Sequence, residues 1–193
     1  MSTKQETTRD LLIDAAIRVF ATRPTASLSD VAEAAGVRRV TLHRLIGSRD
    51  ELLKEIAIRS LAEMDDACRQ AVEKAESAMD ALRACVEALV PVGDRCHFLW
   101  TQSEVWEEAT VAKEVARQNR ELDTLIEEAK SEGSIASDIP NAWITAAIEA
   151  FVFAALQTAR AGDIAVNDAG KLAARTLFAG IETRSASKRR RKK

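Results

Sequence analysis

Two short helical patterns joined by a glycine turn, within residues 27–53, constrain the fold of this chain more than any other feature. Ser27 is followed three residues later by Asp30, a helix capping box in which each side chain satisfies a backbone N–H group of the other residue. Gly36 ends the first pattern, because glycine accepts the positive φ angle that lets a second helix leave at a steep angle. The second helix is expected over residues 39–45. The spacing therefore predicts a helix-turn-helix.

The second short helix is expected to present a basic face. Packing against the core is assigned to Val40 and Leu45, and the polar positions between them are predicted to be exposed. Between Arg38 and Arg49 the chain has four arginines and no acidic residue, which is the local charge that phosphate contacts require. Residues 48–51 repeat the capping box and predict the start of a third helix.

The segment Arg9–Leu53 resembles the DNA-binding domain of the TetR family of bacterial transcriptional regulators. The family pattern T-x-x-D-I-A-x-x-A-G-V-S-x-G-T-L-Y-x-H-F-x-S-K-E-x-L is matched in order and spacing at residues 28–32, 35–37, 41–42 and 48–53. The family's tyrosine, whose hydroxyl donates to a phosphate, falls on His43. The other departures from the pattern are Ile46 for phenylalanine, Arg49 for lysine and Arg38 for the serine at the N-cap.

The resemblance implies a homodimer that binds a double-stranded DNA operator and acts as a repressor released by a small-molecule effector. Its two recognition helices would enter successive major grooves, about 34 to 36 Å apart, so the operator is expected to be a near-palindrome. Base edges or nearby phosphates are assigned to Arg38, Arg39 and His43, and the sugar-phosphate backbone is assigned to Ser27, Thr41, Arg44 and Arg49. Arg9 in the first helix is a further candidate for a phosphate contact.

Composition favours an all-α fold. Only 7 glycines and 3 prolines occur in 193 residues, apolar residues recur at three- and four-residue intervals, and no strand pattern is found. Three parts are predicted: a helix-turn-helix DNA-binding domain over 1–55, a helical effector-binding and dimerisation domain over 56–183, and a basic disordered tail over 184–193. The middle part has 22 acidic and 12 basic residues, a charge that keeps it away from DNA. The tail is either a solubilising end or a sequence-independent phosphate grip.

Small residues in the last two predicted helices favour a dimer interface, because they let helices approach closely and exceed what one core needs. These residues are Ala146, Ala147, Ala150, Ala154, Ala155, Ala169, Ala173, Ala174, Ala179 and Gly180. In the resembled family the last two helices of each protomer form a four-helix bundle with their mates, which agrees with this interpretation. An ordinary core within one chain remains the alternative.

Aromatic and polar residues of the middle region are candidates for an effector site, since ligand cavities combine apolar walls with a few polar groups. The candidates are Trp100, Ser103, Trp106, Phe151 and Gln157. They lie where the resembled family builds its effector cavity. For each aromatic residue, plain core packing is the alternative, and no charged residue in the pattern identifies the ligand.

No catalytic, metal or cofactor site is predicted. Cys96 and His97 are adjacent, so on a helix their side chains diverge by about 100° and make a poor nucleophile and base pair. The three cysteines show no metal-ligand spacing, and no disulfide framework is expected. No signal peptide and no apolar run of about 18 residues is found, so a cytoplasmic protein without membrane contact is expected. A regulator controlled by a protein partner and a helical interaction protein without specific DNA binding remain alternative functions.

Overall fold

The computed structural model describes residues 3–181, and it describes their side chains except at residues 3–6, 94 and 103. That part of the chain contains nine α-helices, one short 3₁₀ helix and no β-strand, which confirms the all-α prediction. The helices are α1 (Thr3–Thr22), α2 (Leu28–Ala34), α3 (Arg39–Leu45), α4 (Arg49–Val72), α5 (Ala78–Leu89), α6 (Gly93–Thr101), α7 (Ala109–Ser131), α8 (Asn141–Ala161) and α9 (Val166–Ile181), with the 3₁₀ helix Ser103–Glu107 between α6 and α7.

The helix ends around the helix-turn-helix follow the predicted capping residues. Ser27 and Asp30 form both hydrogen bonds of the capping box of α2, and Gly36 follows that helix with a φ angle of 67°. At the start of α4, the Ser48 N–H donates to Glu51 Oε2 at 2.7 Å, and the Glu51 N–H donates to Ser48 Oγ at 3.1 Å. Local side-chain contacts therefore define both ends of this motif.

Contacts between Cα atoms divide the chain into two compact units. Among the described residues, unit 1 comprises residues 3–63 together with Asp94–Val115, and unit 2 comprises Met64–Gly93 together with residues 116–181. Residues 94–115, which the sequence assigned to the larger domain, thus pack in the unit that contains the helix-turn-helix. A functional boundary at residue 55 stays a prediction, and the tail 184–193 lies outside the described residues.

The core of unit 1 includes the aromatic pair Phe20 and Phe98, which are fully buried with ring centroids 6.3 Å apart. Arg95, three residues before Phe98, donates to Glu63 at 2.5 Å and to Asp14 at 3.2 Å. Buried aromatic contact and two ion pairs therefore join α6 to α1 and α4. Helix α6 thus contributes to the core of the unit that contains the helix-turn-helix.

In unit 2, α9 packs against both α5 and α8. Phe178 of α9 is fully buried in this bundle. Gly170 marks a close approach of α9 to α5, because a Cβ atom at that position would lie 3.0 Å from the Glu87 carbonyl oxygen and 3.2 Å from the Glu87 Cα. Only a residue without a side chain fits this helix crossing without displacing backbone.

Helix α8 has the length and composition of a helix that can cross a membrane, with a mean hydropathy of 1.4 over its most apolar window and 28% of that window buried. The sequence prediction concerned an uninterrupted apolar run of about 18 residues, and this window contains polar residues such as Thr145 and Glu149. One such helix is weak evidence for a membrane span, since core helices of water-soluble proteins meet the same criterion. One side of α8, with Ile144, Ile148 and Val152, is buried within unit 2.

The Gly170→Ala substitution is expected to destabilise the protein by about 1 kcal/mol or more, because the new methyl group must displace the backbone at Glu87. The gain in helix propensity, up to about 1 kcal/mol, acts in the opposite direction. Urea unfolding followed by circular dichroism measures the difference. Lys171→Ala, at the exposed next position of α9, is the control and should change stability by less than about 0.5 kcal/mol. A stabilised Gly170→Ala protein would contradict the close helix contact.

Candidate DNA-binding surface and unit 2 cavity

The orientation of α3 follows from the burial of Leu42, which has no exposed surface. Ile46, one turn later, is buried as well, and Leu45 is half-buried. Val40 lies two residues before Leu42, about 200° around the helix, and is 78% exposed. The prediction that Val40 packs into the core is therefore wrong. This side chain lies on the outward face of α3, where sequence analysis had placed only polar residues.

The outward face of α3 is positively charged. Arg38 and Arg44 are exposed, and neither forms an ion pair with another residue in the described part of the chain. Arg39 is exposed too, and its Nε donates to His43 Nε2 at 3.3 Å. Thr41 is half-buried at the edge of this face. The three arginines therefore remain available to an anionic partner.

His43 holds Arg39 in place and does not direct an N–H group outward. Its Nδ1 lies 3.0 Å from the Gly47 carbonyl oxygen. Because a carbonyl oxygen only accepts and an arginine Nε only donates, His43 carries its proton on Nδ1 and accepts at Nε2. A neutral His43 in this arrangement has no N–H group left for a phosphate. Its role therefore differs from that of the family's tyrosine.

Arg49 is directed into unit 1. Its Nη2 donates to the Pro24 carbonyl oxygen at 2.8 Å, and its guanidinium carbon lies 5.0 Å from the centroid of the Phe20 ring. Gln102, which is buried, donates to the same carbonyl oxygen at 3.2 Å. Arg49 therefore stabilises the packing of unit 1, and its contact with a phosphate stays a prediction.

Two more residues with predicted phosphate contacts bind within the domain. Arg9 Nη1 donates to the Leu45 carbonyl oxygen at 2.7 Å and Arg9 Nε donates to Glu55 at 2.5 Å, and this bond to Glu55 raises the pKa of the guanidinium. The Ser27 hydroxyl donates to the Asp30 carboxylate at 2.6 Å. Arg9 thus fastens the end of α3 to α1 and α4, and Ser27 serves the cap of α2.

Unit 2 contains a cavity of about 540 Å³ lined by α4, α5, α7 and α8. Its wall is mainly apolar, and the apolar residues are Met64, Val72, Leu82, Val86, Leu89, Leu122, Leu125 and Ile148. The volume lies within the range of small-molecule sites, which extends from about 300 to 1,000 Å³. Among the residues that the structure describes, no group of three or more His, Cys, Asp and Glu side chains is placed to hold a metal ion.

One acidic residue at the cavity lacks a basic partner. Arg117 bridges Asp65 at 3.1 Å and Glu121 at 2.5 Å. Glu149, at the exposed rim of the cavity, makes no hydrogen bond or ion pair with any other described residue. Neighbouring protein atoms nevertheless remove part of the water around its carboxyl group, and this partial desolvation of the charged form raises its pKa. The cavity therefore presents one uncompensated acidic group beside an apolar wall.

None of the five predicted effector residues lines this cavity. Trp100 and Trp106 belong to unit 1, where Trp106 Nε1 donates to a backbone carbonyl of α6 at 3.0 Å. Phe151 and Gln157 lie on α8 but outside the cavity wall, and the side chain of Ser103 is outside the described set. The only signal in the sequence for this cavity was the apolar periodicity of the long helices α4 and α7, which core packing produces equally well.

The amino-acid sequence is similar to those of known bacterial transcriptional regulators. The family profile described as "Bacterial regulatory proteins, tetR family" matches residues 12–56. The chain is 35% identical over 102 residues to the HTH-type transcriptional repressor LfrR of Mycolicibacterium smegmatis, in an alignment that covers 52% of this chain and 53% of LfrR. The matched stretch thus spans about half the length of that curated relative.

Solved structures resemble the chain over nearly its whole length. LfrR from Mycobacterium smegmatis in complex with proflavine has a TM-score of 0.77 and 26% identity, covering 93% of this chain and 99% of that one. The chain is therefore similar to TetR family regulators, in sequence over residues 12–56 and in fold over nearly its whole length. A TetR family transcription regulator from Marinobacter aquaeolei VT8, at 18% identity and a TM-score of 0.78, covers 95% of this chain and 100% of that one and shows the TetR fold alone.

The orientation of α3 is tested by the pair Leu42→Ala and Val40→Ala. Loss of the buried Leu42 side chain should cost about 2 to 5 kcal/mol of stability, because it leaves a cavity in unit 1. Val40→Ala should change stability by less than about 0.5 kcal/mol, because the side chain is exposed. Chemical denaturation measures both values. Similar costs for the two substitutions would contradict the described orientation.

Proposed function

We propose that this protein is a DNA-binding transcriptional regulator of the TetR family, a repressor that a small-molecule effector releases from a near-palindromic operator. The observation that supports it best is the outward face of α3, where Arg38, Arg39 and Arg44 surround Val40 on a helix anchored by Leu42. A recognition helix in the major groove needs both phosphate contacts and contacts to base edges, and this face offers groups for both.

The contacts can be assigned from the geometry of α3. Arg39 uses Nε for His43, and its two Nη groups remain to donate to guanine O6 and N7. The exposed methyl groups of Val40 suit contact with a thymine methyl group. Arg38 and Arg44 are assigned to phosphates, where they add affinity and salt dependence without reading sequence. Base reading thus rests on two neighbouring residues, one of them missed by sequence analysis.

A second copy of the chain is proposed to cover the exposed side of α8 and α9. Trp143 is 67% exposed, Phe153 is 42% exposed and Leu172 is 38% exposed, and small exposed alanines lie between the two aromatic residues of α8. Apolar surface of this kind is covered in homodimers. The remaining members of the predicted small-residue set that are buried in unit 2 serve its own core, and they are Ala155, Ala169, Ala173 and Ala174.

The proposed effector is an apolar small molecule with a positive charge. The unit 2 cavity has the volume and the apolar wall of a ligand site, and Glu149 supplies an unpaired carboxylate at its rim. The complex of LfrR with proflavine, a positively charged aromatic dye, supports this class. Release from DNA requires that the effector bind the released conformation more tightly than the DNA-bound one. Helix α4 runs without interruption from Arg49 to the cavity residue Val72, and we assign the transmission of the change to this helix.

Arg39→Ala is expected to weaken operator binding by about 1 to 3 kcal/mol, because a base-reading guanidinium is lost. His43→Ala should weaken binding as well, through the loss of the hydrogen bond that positions Arg39. The double variant should then cost less than the sum of the single variants, since both remove the same interaction. Fluorescence anisotropy with operator DNA measures the binding free energies of the wild type, the two single variants and the double variant. The same measurement with random DNA gives the preference for the operator. Additive losses would show that His43 contacts DNA independently of Arg39.

Glu149→Gln is expected to weaken proflavine binding by about 1 kcal/mol, or about fivefold in Kd, because the counter-charge at the cavity rim is lost. In the wild type, affinity should fall as the pH drops through the raised pKa of Glu149, since the protonated carboxyl carries no charge. The variant should lack this pH dependence. Titrations followed by proflavine fluorescence measure the affinity and its pH dependence for the wild type and the variant. Asp123→Asn, an exposed residue of α7 outside the cavity, is the control, and equal affinities of wild type and Glu149→Gln would exclude Glu149 as counter-charge.

Ala150→Arg is expected to convert the dimer to a monomer, because a long charged side chain would enter the proposed interface on α8. Analytical ultracentrifugation measures the mass. Ser131→Arg, at an exposed position at the end of α7, should leave the dimer intact. A dimer that tolerates Ala150→Arg would place the interface elsewhere.

A further inference from the structure

Two cysteines lie side by side in the wall of the unit 2 cavity. Cys68 belongs to α4 and Cys85 to α5, both line the cavity, and both are half-buried. Their thiols hydrogen-bond each other, and neither residue is in a disulfide. Sequence analysis found no pairing because the two positions are 17 residues apart and on different helices. The reversal of the chain between α4 and α5 brings them together.

The pair differs in chemistry from the third cysteine of the chain. The hydrogen bond from Cys68 lowers the pKa of the Cys85 thiol, which favours the nucleophilic thiolate at Cys85. Cys96 of α6 is buried in unit 1, and burial raises its pKa to about 12, so it remains a thiol. Only Cys85 therefore combines an accessible cavity position with an activated sulfur and a second thiol in contact.

We propose that Cys68 and Cys85 form a redox-active dithiol, a modification site at which low-molecular-weight disulfides that reach the cavity are reduced and the protein gains an intramolecular disulfide. The apolar cavity of about 540 Å³ provides the space in which a small disulfide approaches Cys85. The hydrogen bond between the two side chains places their sulfurs next to each other, and a disulfide would join them at an S–S bond length of about 2.05 Å.

The reaction proceeds by two exchanges. The Cys85 thiolate attacks one sulfur of the small disulfide RSSR, the S–S bond of RSSR breaks, and the first RS⁻ leaves and takes up a proton. Cys68 then loses its proton, attacks the Cys85 sulfur of the mixed disulfide and expels the second RS⁻, which is protonated in turn. The two protein thiols are oxidised by two electrons, and RSSR is reduced to two RSH. No other oxidant is required.

The disulfide between Cys68 and Cys85 would link α4 covalently to α5 at the cavity wall. Because α4 continues from the cavity to Arg49, next to the recognition helix in sequence, the disulfide would bias the same helix as the effector does. This regulatory consequence rests on the proposed function. The modification itself does not, since it depends only on the two thiols and the cavity.

The test uses the reduced full-length protein and oxidised glutathione, followed by intact mass under non-reducing conditions. The wild type should lose about 2 Da, and digestion should yield a peptide that joins residues 68 and 85. Cys68→Ser should stop at a stable glutathione adduct on Cys85, because the second thiol is absent. Cys85→Ser should react at least about tenfold more slowly, and Cys96→Ser should behave like the wild type. Thermal melting of each variant by circular dichroism shows that it is folded.

Several results would overturn the dithiol. These are a persistent glutathione adduct on wild-type Cys85, a disulfide between two protomers, or equal reaction rates at all three cysteines. A mobility-shift assay with reduced and oxidised wild type then separates the two proposals. If the disulfide forms and neither form binds operator DNA, the proposed function fails and the dithiol stands; if operator binding is normal and no disulfide forms, the reverse holds.

Discussion

The orientation of the outward face of α3 depends on the burial of Leu42 on the opposite side of the helix. Helix α3 has only seven residues, and a helix of that length is not stable by itself in water. Leu42 and Ile46 hold one side of it in the core, and Arg9 binds the Leu45 carbonyl oxygen at its end. These contacts leave the opposite side outward, with its arginines and Val40. The orientation of the proposed DNA-binding face is therefore a consequence of how the opposite side of α3 packs.

A single carbonyl oxygen, that of Pro24, connects the turn before α2 with two distant parts of unit 1. Arg49 at the start of α4 and Gln102 after α6 both donate to it. A guanidinium is a strong hydrogen-bond donor to a carbonyl oxygen, because the bond is assisted by its charge. The same contact explains why a positive charge beside the recognition helix stabilises the fold. The number of arginines between Arg38 and Arg49 therefore overestimates the positive charge on the outward face of α3, because Arg49 is directed into unit 1.

The cavity of unit 2 brings together chemical groups from separate helices. Glu149 comes from α8, while the thiol pair of Cys68 and Cys85 comes from α4 and α5. An acid without a basic partner favours a cationic ligand, and two thiols in contact favour exchange with disulfides. The same cavity is thus proposed to serve two processes. Binding of a cationic ligand is reversed by dissociation, and formation of a disulfide is reversed by reduction.

The sequence alone determined the all-α class, the helix-turn-helix between Ser27 and Leu53, and its caps. These features depend on local spacing and on residues such as Gly36 with a required backbone conformation. Only the tertiary structure decided which side of α3 is buried, that Arg49 binds Pro24, that α6 packs in unit 1, and where the cavity lies. These features depend on contacts between residues far apart in the chain. Helical periodicity predicts that a face is buried, but it does not specify the partner that buries it.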